Sequence, residues 1–336
     1  MRKTRLAIVL TVVIGLFCCC DRTGSQENSL PSSTGKSGEV LIVCEDNYWE
    51  NLLGDSLQAI LMQPVLGLPQ KEPMFILSHI SENKFEKTYK KQRNIIFFTI
   101  DSAIEEPKVF VNQDPWVQPQ LLIRIQAKDE QQAVELLSEY QCSIIDYLLN
   151  SERKRFQKVQ KAEQNLHLIS EVEKKYAISM VIPEGFIFAV KDSGFCWLRK
   201  DTKDWTQNIL IYMHDYTDTN QFKNEEIIKL RNKFTKQYVF GSVDSSYAVV
   251  DEQYIPTISK YKALNGQYAI QTVGLWKMEK DCKGGAFSNL TILDTAHNRV
   301  VTIDGFLYAP SNEKRDLLRQ LESIVFSVKF KNKNSK

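Results

Sequence analysis

Past residue 37 the chain alternates short apolar runs with stretches whose apolar positions recur every three or four residues, the pattern of strands interleaved with helices. Residues 38–45 (GEVLIVCE) form a short β-branched run suited to a buried strand. Residues 47–62 then read as one helix, with Trp49, Leu52, Leu53, Leu57 and Ile60 near one face, and Pro64 and Gly67-Leu68-Pro69 break it. Residues 74–80, 94–100 and 120–126 read as strands, with a polar helical stretch over 82–92 between the first two. Asp129, with Gln132 three residues later, predicts a capped start to a long helix. Its buried stripe is Leu137, Tyr140, Ile144 and Leu148, and the pattern runs on through a basic stretch to about Ile169.

After about residue 175 the period shortens. Strands are predicted over 176–181, 186–190, 195–200 and 209–214, followed by a helix starting near Asn224 and marked by Ile227, Leu230 and Phe234. Longer strands follow over 267–277, 286–293 and 299–308. A last helix begins at Pro310-Ser311 with Leu317, Leu318, Leu321 and Ile324 on its apolar side, and Phe326, Val328 and Phe330 alternate as in a closing edge strand. The expected fold class is therefore α+β, with two sheet-and-helix subdomains. The first, residues 38–170, is mixed α/β with some parallel pairing; the second, residues 171–331, is mainly antiparallel with packed helices. The order of elements in the second half resembles that of small helix-on-sheet modules of the PsbP/Mog1 type.

The first twenty residues do not belong to this pattern. Arg2, Lys3 and Arg5 precede an apolar run over 6–17, which has the length of a signal-peptide core and is shorter than the roughly 20 residues that cross a bilayer as a helix. Cys18, Cys19 and Cys20 follow at once, ahead of Asp21 and Arg22. A leader ending at cysteine resembles the lipobox of bacterial lipoproteins. With Leu16 three residues upstream, Cys19 is the expected lipid attachment site and Cys20 the alternative. An uncleaved anchor or an ordinary secretory signal is the plainer reading, but the small-residue cleavage site of the latter is missing. Residues 1–18 thus read as a lipoprotein signal peptide, and 19–37, rich in Ser, Thr and Gly, as the acylated cysteine and a flexible tether.

Charge adds one exclusion. The net charge is +2 and falls to −1 without the leader, which leaves no footprint for nucleic acid. Cys44, Cys142, Cys196 and Cys282 are widely spaced, and their pairing stays open; Cys44 and Cys196 sit in apolar runs as small buried hydrophobes would. His79, His167, His214 and His297 show no metal spacing, and no cofactor motif is present, so neither a metal nor a cofactor is expected. His214-Asp215 could orient a base, but a lone histidine at a strand end is more often a plain polar residue. Two stretches stand out as candidate ligand contacts. Trp116 and Gln118 lie in a proline-rigidified loop fit to stack a sugar or peptide ring, although a Trp116 that plugs a core edge is the commoner case. Gly284 and Gly285, close to Trp276, form a tight hairpin turn first and a ligand cradle second.

Several clusters carry a resemblance to a family: Gly67-Leu68-Pro69-Gln70 with Glu72-Pro73, Arg93-Asn94-Ile95, and Trp116 to Gln120. The second half adds Gly274-Leu275-Trp276, Gly284 to Phe287, Gly305-Phe306 with Tyr308 to Pro310, Lys314-Arg315, and Leu321 to Ile324. In these the chain resembles envelope lipoproteins of Bacteroidetes-type bacteria catalogued as a domain of unknown function. The resemblance departs at Lys283 and Ala286, where a methionine and a proline are expected, and at Ala248, which follows Ser245-Ser246-Tyr247. It implies a cell-envelope address and brings no activity or active-site residue. The expectation is a membrane-anchored lipoprotein, outer-membrane bound through its lipid, that binds or scaffolds an envelope protein or glycan. A cell-wall or glycan hydrolase with a site between the subdomains is the alternative, and a plain structural spacer is the third class.

Overall fold

The computed structural model describes residues 30–253 and 255–331. The leader, Cys19 and Cys20 lie outside the described residues. The first subdomain comprises β1 (Glu39–Val43), α1 (Asp46–Trp49), α2 (Leu52–Leu61), β2 (Ile76–Ile80), β3 (Asn94–Ile100), β4 (Lys108–Gln113), β5 (Leu121–Ala127) and α3 (Glu130–Ala162). Its sheet runs β2-β1-β3-β5-β4, parallel throughout except for β4, which lies antiparallel on β5 at the edge. Alternate residues of the central strands face opposite sides. Val40, Ile42, Ile96 and Ile123 bury against Leu53, Leu57, Leu137 and Ile144 of α2 and α3. Leu41, Val43, Ile95 and Leu122 face the other way, covered by Phe85 and Trp116.

Three local readings change here. The helix expected over 47–62 is two helices, because α2 folds back so closely that a Cβ on Gly54 would stand 1.8 Å from the Trp49 carbonyl oxygen. The polar stretch 82–92 forms two short 3-10 turns: of its residues only Phe85 joins a buried cluster, too little for a helical stripe. The end of the stretch expected as a tether, residues 31–37, belongs to the described fold. Residues 31–34 run along the sheet end, where Pro31 accepts from Gln118 N at 2.8 Å, Thr34 N donates to Lys91 O at 2.8 Å, and Arg93 N donates to Thr34 O at 3.0 Å. Backbone pairing needs no apolar side chain, which is why composition missed it.

Asp129 Oδ1 accepts from Gln132 N at 2.8 Å and opens α3 as its sequence predicts. The helix ends at Ala162, short of Ile169, and Asn165 then caps a separate helix by accepting from Leu168 N at 3.0 Å. The second subdomain comprises α4 (Leu166–Tyr176), β6 (Ile178–Ser179), β7 (Ile187–Lys191), β8 (Phe195–Asp201), β9 (Thr206–Asp215), α5 (Asn224–Tyr238), β10 (Ala248–Asp251), β11 (Ile258–Leu264), β12 (Gln267–Met278), β13 (Gly284–Asp294), β14 (Arg299–Tyr308), α6 (Arg315–Val325) and β15 (Lys329–Phe330). Its antiparallel sheet runs β10-β12-β13-β14-β9-β8-β7, and β11 continues the edge that β10 begins on β12. α4 and α6 cover one face, around Leu290, Val301 and Ile303. α5 covers the other, around Tyr212, Phe287 and Phe306. β15 pairs with β6 in a separate two-stranded ladder instead of closing the main sheet. The molecule is thus an α+β chain of two sheet-and-helix subdomains, the first mixed and the second antiparallel.

Candidate functional site

The sheet face under α5 is longer than the helix. Where α5 ends, residues 239–242 turn over the uncovered strands and leave a cavity of about 440 Å³. The period-two geometry of β8, β9, β12 and β14 aims their side chains at it: Trp197 and Arg199, Thr206 and Asn208, Trp276 and Met278, Phe306 and Tyr308. Phe240, 63% exposed, stands at the opening. Five aromatic rings and two cations, Arg199 and Lys283, therefore line the cavity, and no carboxylate does.

The polar groups are fixed in place. Trp197 Nε1 donates to Asn208 Oδ1 at 3.0 Å, and the Arg199 guanidinium lies 6.0 Å from the Trp197 ring centre. From outside the lining, Asp201 accepts from Arg199 Nε at 2.8 Å, while Lys283 Nζ donates to Ser242 Oγ at 3.1 Å and lies 3.6 Å from Asp281. Trp276 forms the floor, 5% exposed, with Phe306 edge-on at 5.1 Å and its Nε1 donating to Leu307 O at 3.1 Å. Such a chamber suits a ring stacked on indole with an anionic substituent near the cations.

The glycine pair supports this floor. Gly284 and Gly285 open β13 opposite Lys277 and Trp276, so they lie beyond the turn and in the strand itself. A Cβ on Gly285 would stand 2.0 Å from Leu307 O and 3.2 Å from Trp276 Nε1, so only glycine lets the indole settle there. Of the sequence candidates, Trp276, Gly284 and Gly285 are brought together, whereas Trp116 and Gln118 lie in the other subdomain. Trp116 packs edge-on to Phe85 at 5.9 Å with Lys90 Nζ 5.5 Å from its ring centre, and Gln118 pairs through its backbone with residues 31–33. Trp197, Arg199, Asn208 and Tyr308 escaped sequence reading. Alternation marks their strand face, but nothing local says that three such faces meet.

Of the clusters behind the family resemblance, Trp276, Phe306 and Tyr308 line this cavity, and several others meet on the seam between the subdomains. Gly67 packs on Gly274, where a Cβ would stand 3.0 Å from the Gly274 nitrogen, and Leu68 buries against Ala286 and Leu318. Glu72 accepts from Lys314 N and Arg315 N, each at 2.8 Å, and so caps α6 from the opposite subdomain. Asn94 and Arg155 close on buried Glu152, and Gln160 of α3 exchanges hydrogen bonds with Gln320 and Ser323 of α6.

Other candidates stay apart from the cavity. Cys44 and Cys196 are buried, and burial, the largest influence on each, pushes both thiols up to about 12; Cys142 and Cys282 are exposed, and all four are unpaired. Burial holds the His214 imidazole below its ordinary value, with Asp215 opposing. Among the described residues no group of three or more His, Cys, Asp or Glu side chains is placed to hold a metal ion.

No curated protein matches the chain. Among solved structures it is similar to a point mutant of the protein Mog1 (12% identity, TM-score 0.30, covering 47% of this chain and 92% of that one). It is also similar to the Ran-binding protein Mog1p of Saccharomyces cerevisiae (12%, 0.30, 46% and 91%); similarity at this level carries no functional argument. Two family models match in series and meet in the break between α3 and α4: residues 33–161 match DUF8532 and residues 165–327 match DUF4837, each described as a domain of unknown function.

Proposed function

We propose that the protein is an envelope lipoprotein, held in the outer membrane by acylated Cys19, whose body binds an anionic glycan in the cavity beneath the end of α5. The leader supports the anchor: a cationic start, an apolar run of signal-core length, and three cysteines at the polar boundary. One observation carries the ligand class, namely five aromatic rings and two cations around about 440 Å³ with no carboxylate in the lining. Aromatic faces stack pyranose rings, and the cations attract an acidic substituent. Glycoside hydrolysis normally needs two facing carboxylates, which favours binding over turnover here.

The hydrolase alternative draws on Asp146 and Glu322, which both line a cavity between the subdomains. Each is already engaged: Glu322 accepts from Gln271 Nε2 at 2.9 Å and Ser288 Oγ at 3.0 Å, and Asp146 lies 3.4 Å from Lys262 Nζ. Glu322 is thus held by two side chains, and Asp146 lines the same cavity with only an exposed pair to Lys262.

Titrating the intact protein with acidic and neutral oligosaccharides, followed by tryptophan fluorescence, tests the reading. Acidic fragments bind, and Trp197→Ala or Arg199→Ala weakens them about tenfold, equal to ~1.4 kcal/mol. Equal indifference to acidic and neutral sugars sinks the glycan assignment. Metabolic labelling with a fatty-acid analogue tests the anchor separately, and label that survives replacement of Cys18, Cys19 and Cys20 removes it.

A further inference from the structure

The seam between the subdomains holds a second, narrower cavity of about 150 Å³. Val65, Leu66 and Met74 from the loop after α2, Ile145 and Leu149 from α3, and Leu318 from α6 give it apolar walls. Its charged lining is unbalanced, with Lys260, Lys262, Arg315 and Arg319 against Asp146 and Glu322. We infer that this cavity binds a single-chain anionic amphiphile, an acyl chain ending in a carboxylate, with the chain among the apolar walls and the head at Lys260 and Lys262.

The cations divide into two kinds. Arg315 spends its N–H groups on the Ser37 and Pro73 carbonyls and on Asp316, and Arg319 donates to the Met74 carbonyl, so both belong to the framework of the seam. Lys260 is exposed and has no ion pair among the described residues. Lys262 lies beside it on the same face of β11, held only by the half-exposed Asp146 at 3.4 Å. Among the described residues Lys260 is thus the cation at this cavity that no protein anion already holds, with Lys262 shared with Asp146 beside it and Arg319 Nη1 left without a hydrogen-bond partner deeper in the seam. Glu322 already has protein partners of its own, and Asp146, 59% exposed, would share Lys262 with the head. A neutral chain would bury the apolar walls and leave the lysines unmatched, and a cationic one would be repelled. The small volume admits one chain and excludes a two-chain lipid. This site shares no residue with the Trp276 cavity and stands whether or not that cavity binds a glycan.

The test uses the full-length protein in native membranes and a photoactivatable decanoate bearing a diazirine, with adducts mapped by mass spectrometry. Adducts fall on residues 65–74, 145–149 and 258–262, and decanoate displaces the probe at concentrations where decanol does not. Lys260→Glu combined with Lys262→Glu lowers labelling at least roughly fivefold. Trp197→Ala leaves the labelling unchanged, and an unaltered circular dichroism spectrum shows that the double variant still folds. Adducts scattered over the surface, equal competition by decanol, or unchanged labelling of the lysine variant would each overturn the inference. So would displacement by two-chain anionic vesicles alone, which would mark a membrane-facing surface instead.

Discussion

Arg231 carries a charge with no exposed surface, and its Nε donates to Asp304 Oδ2 at 2.7 Å while the guanidinium lies 4.2 Å from the centre of the Phe287 ring. Asn289 Nδ2 also reaches Asp304, at 3.1 Å, and bonds Tyr212 at 3.0 Å, so a polar chain ties α5 to the middle of the sheet. Removing one partner of such a pair strands the other charge. Arg231→Met is expected to cost about 3–5 kcal/mol in urea denaturation, and Arg231→Met with Asp304→Leu much less. A double variant as unstable as the single one would refute this account. The thiols give a second prediction at this scale. Iodoacetamide should label Cys142 and Cys282 in the native protein and reach Cys44 and Cys196 only on unfolding, because burial both hides those two and raises their pKa. Sequence suggested burial for Cys44 and Cys196 from their apolar neighbours. It could not suggest that Arg231 is buried, since its helix reads as charged on most sides and its partner lies 73 positions away.

At the level of elements, strand runs with β-branched residues were legible, the edge strands β2 and β7 among them, whereas the edge strands β4, β10 and β11 were not. β3 (NIIFFTI) announces itself, while β4, β10 and β11 bury at most one residue each and so carry little apolar signal. The glycine pair shows a different gap. Two glycines between strand-like runs read as a turn, yet they sit inside β13, where the neighbouring backbone and an indole take the place of a side chain. Gly285→Ala should therefore destabilise by about 1–3 kcal/mol, the usual cost of overpacking, and should disturb Trp276 fluorescence. Gly266→Ala, whose Cβ would meet nothing within 4 Å but whose φ is +80°, separates backbone strain from steric clash. If the two cost the same and Trp276 is unaffected, the close packing is not what selects glycine at 285.

For the molecule as a whole, two subdomains were legible from the change of hydrophobic period, whereas their union was not. The seam is assembled from residues far apart in sequence, such as Glu72 on the α6 N-terminus and Leu68 on Ala286 and Leu318. No local pattern encodes such distances. These shared contacts predict a single cooperative unfolding transition for the intact chain. Glu72→Ala removes two charge-assisted bonds from the start of α6 and should cost about 1–2 kcal/mol. Two transitions already resolved in the unaltered protein would show that the subdomains unfold separately.

If the proposed lipid anchor holds, the pinned segment at residues 31–34 sets the scale of movement at the bilayer. With the chain fastened beside Gln118 and Lys91, about a dozen residues separate it from Cys19. Even drawn taut, a strand of that length reaches about 40 Å. A lipid on Cys19 would then make the body a tethered sentinel with a short leash, sweeping a shallow layer above one leaflet. Whatever it met would then have to come into that layer, and the pinned end of the first subdomain would be the side the leash pulls on.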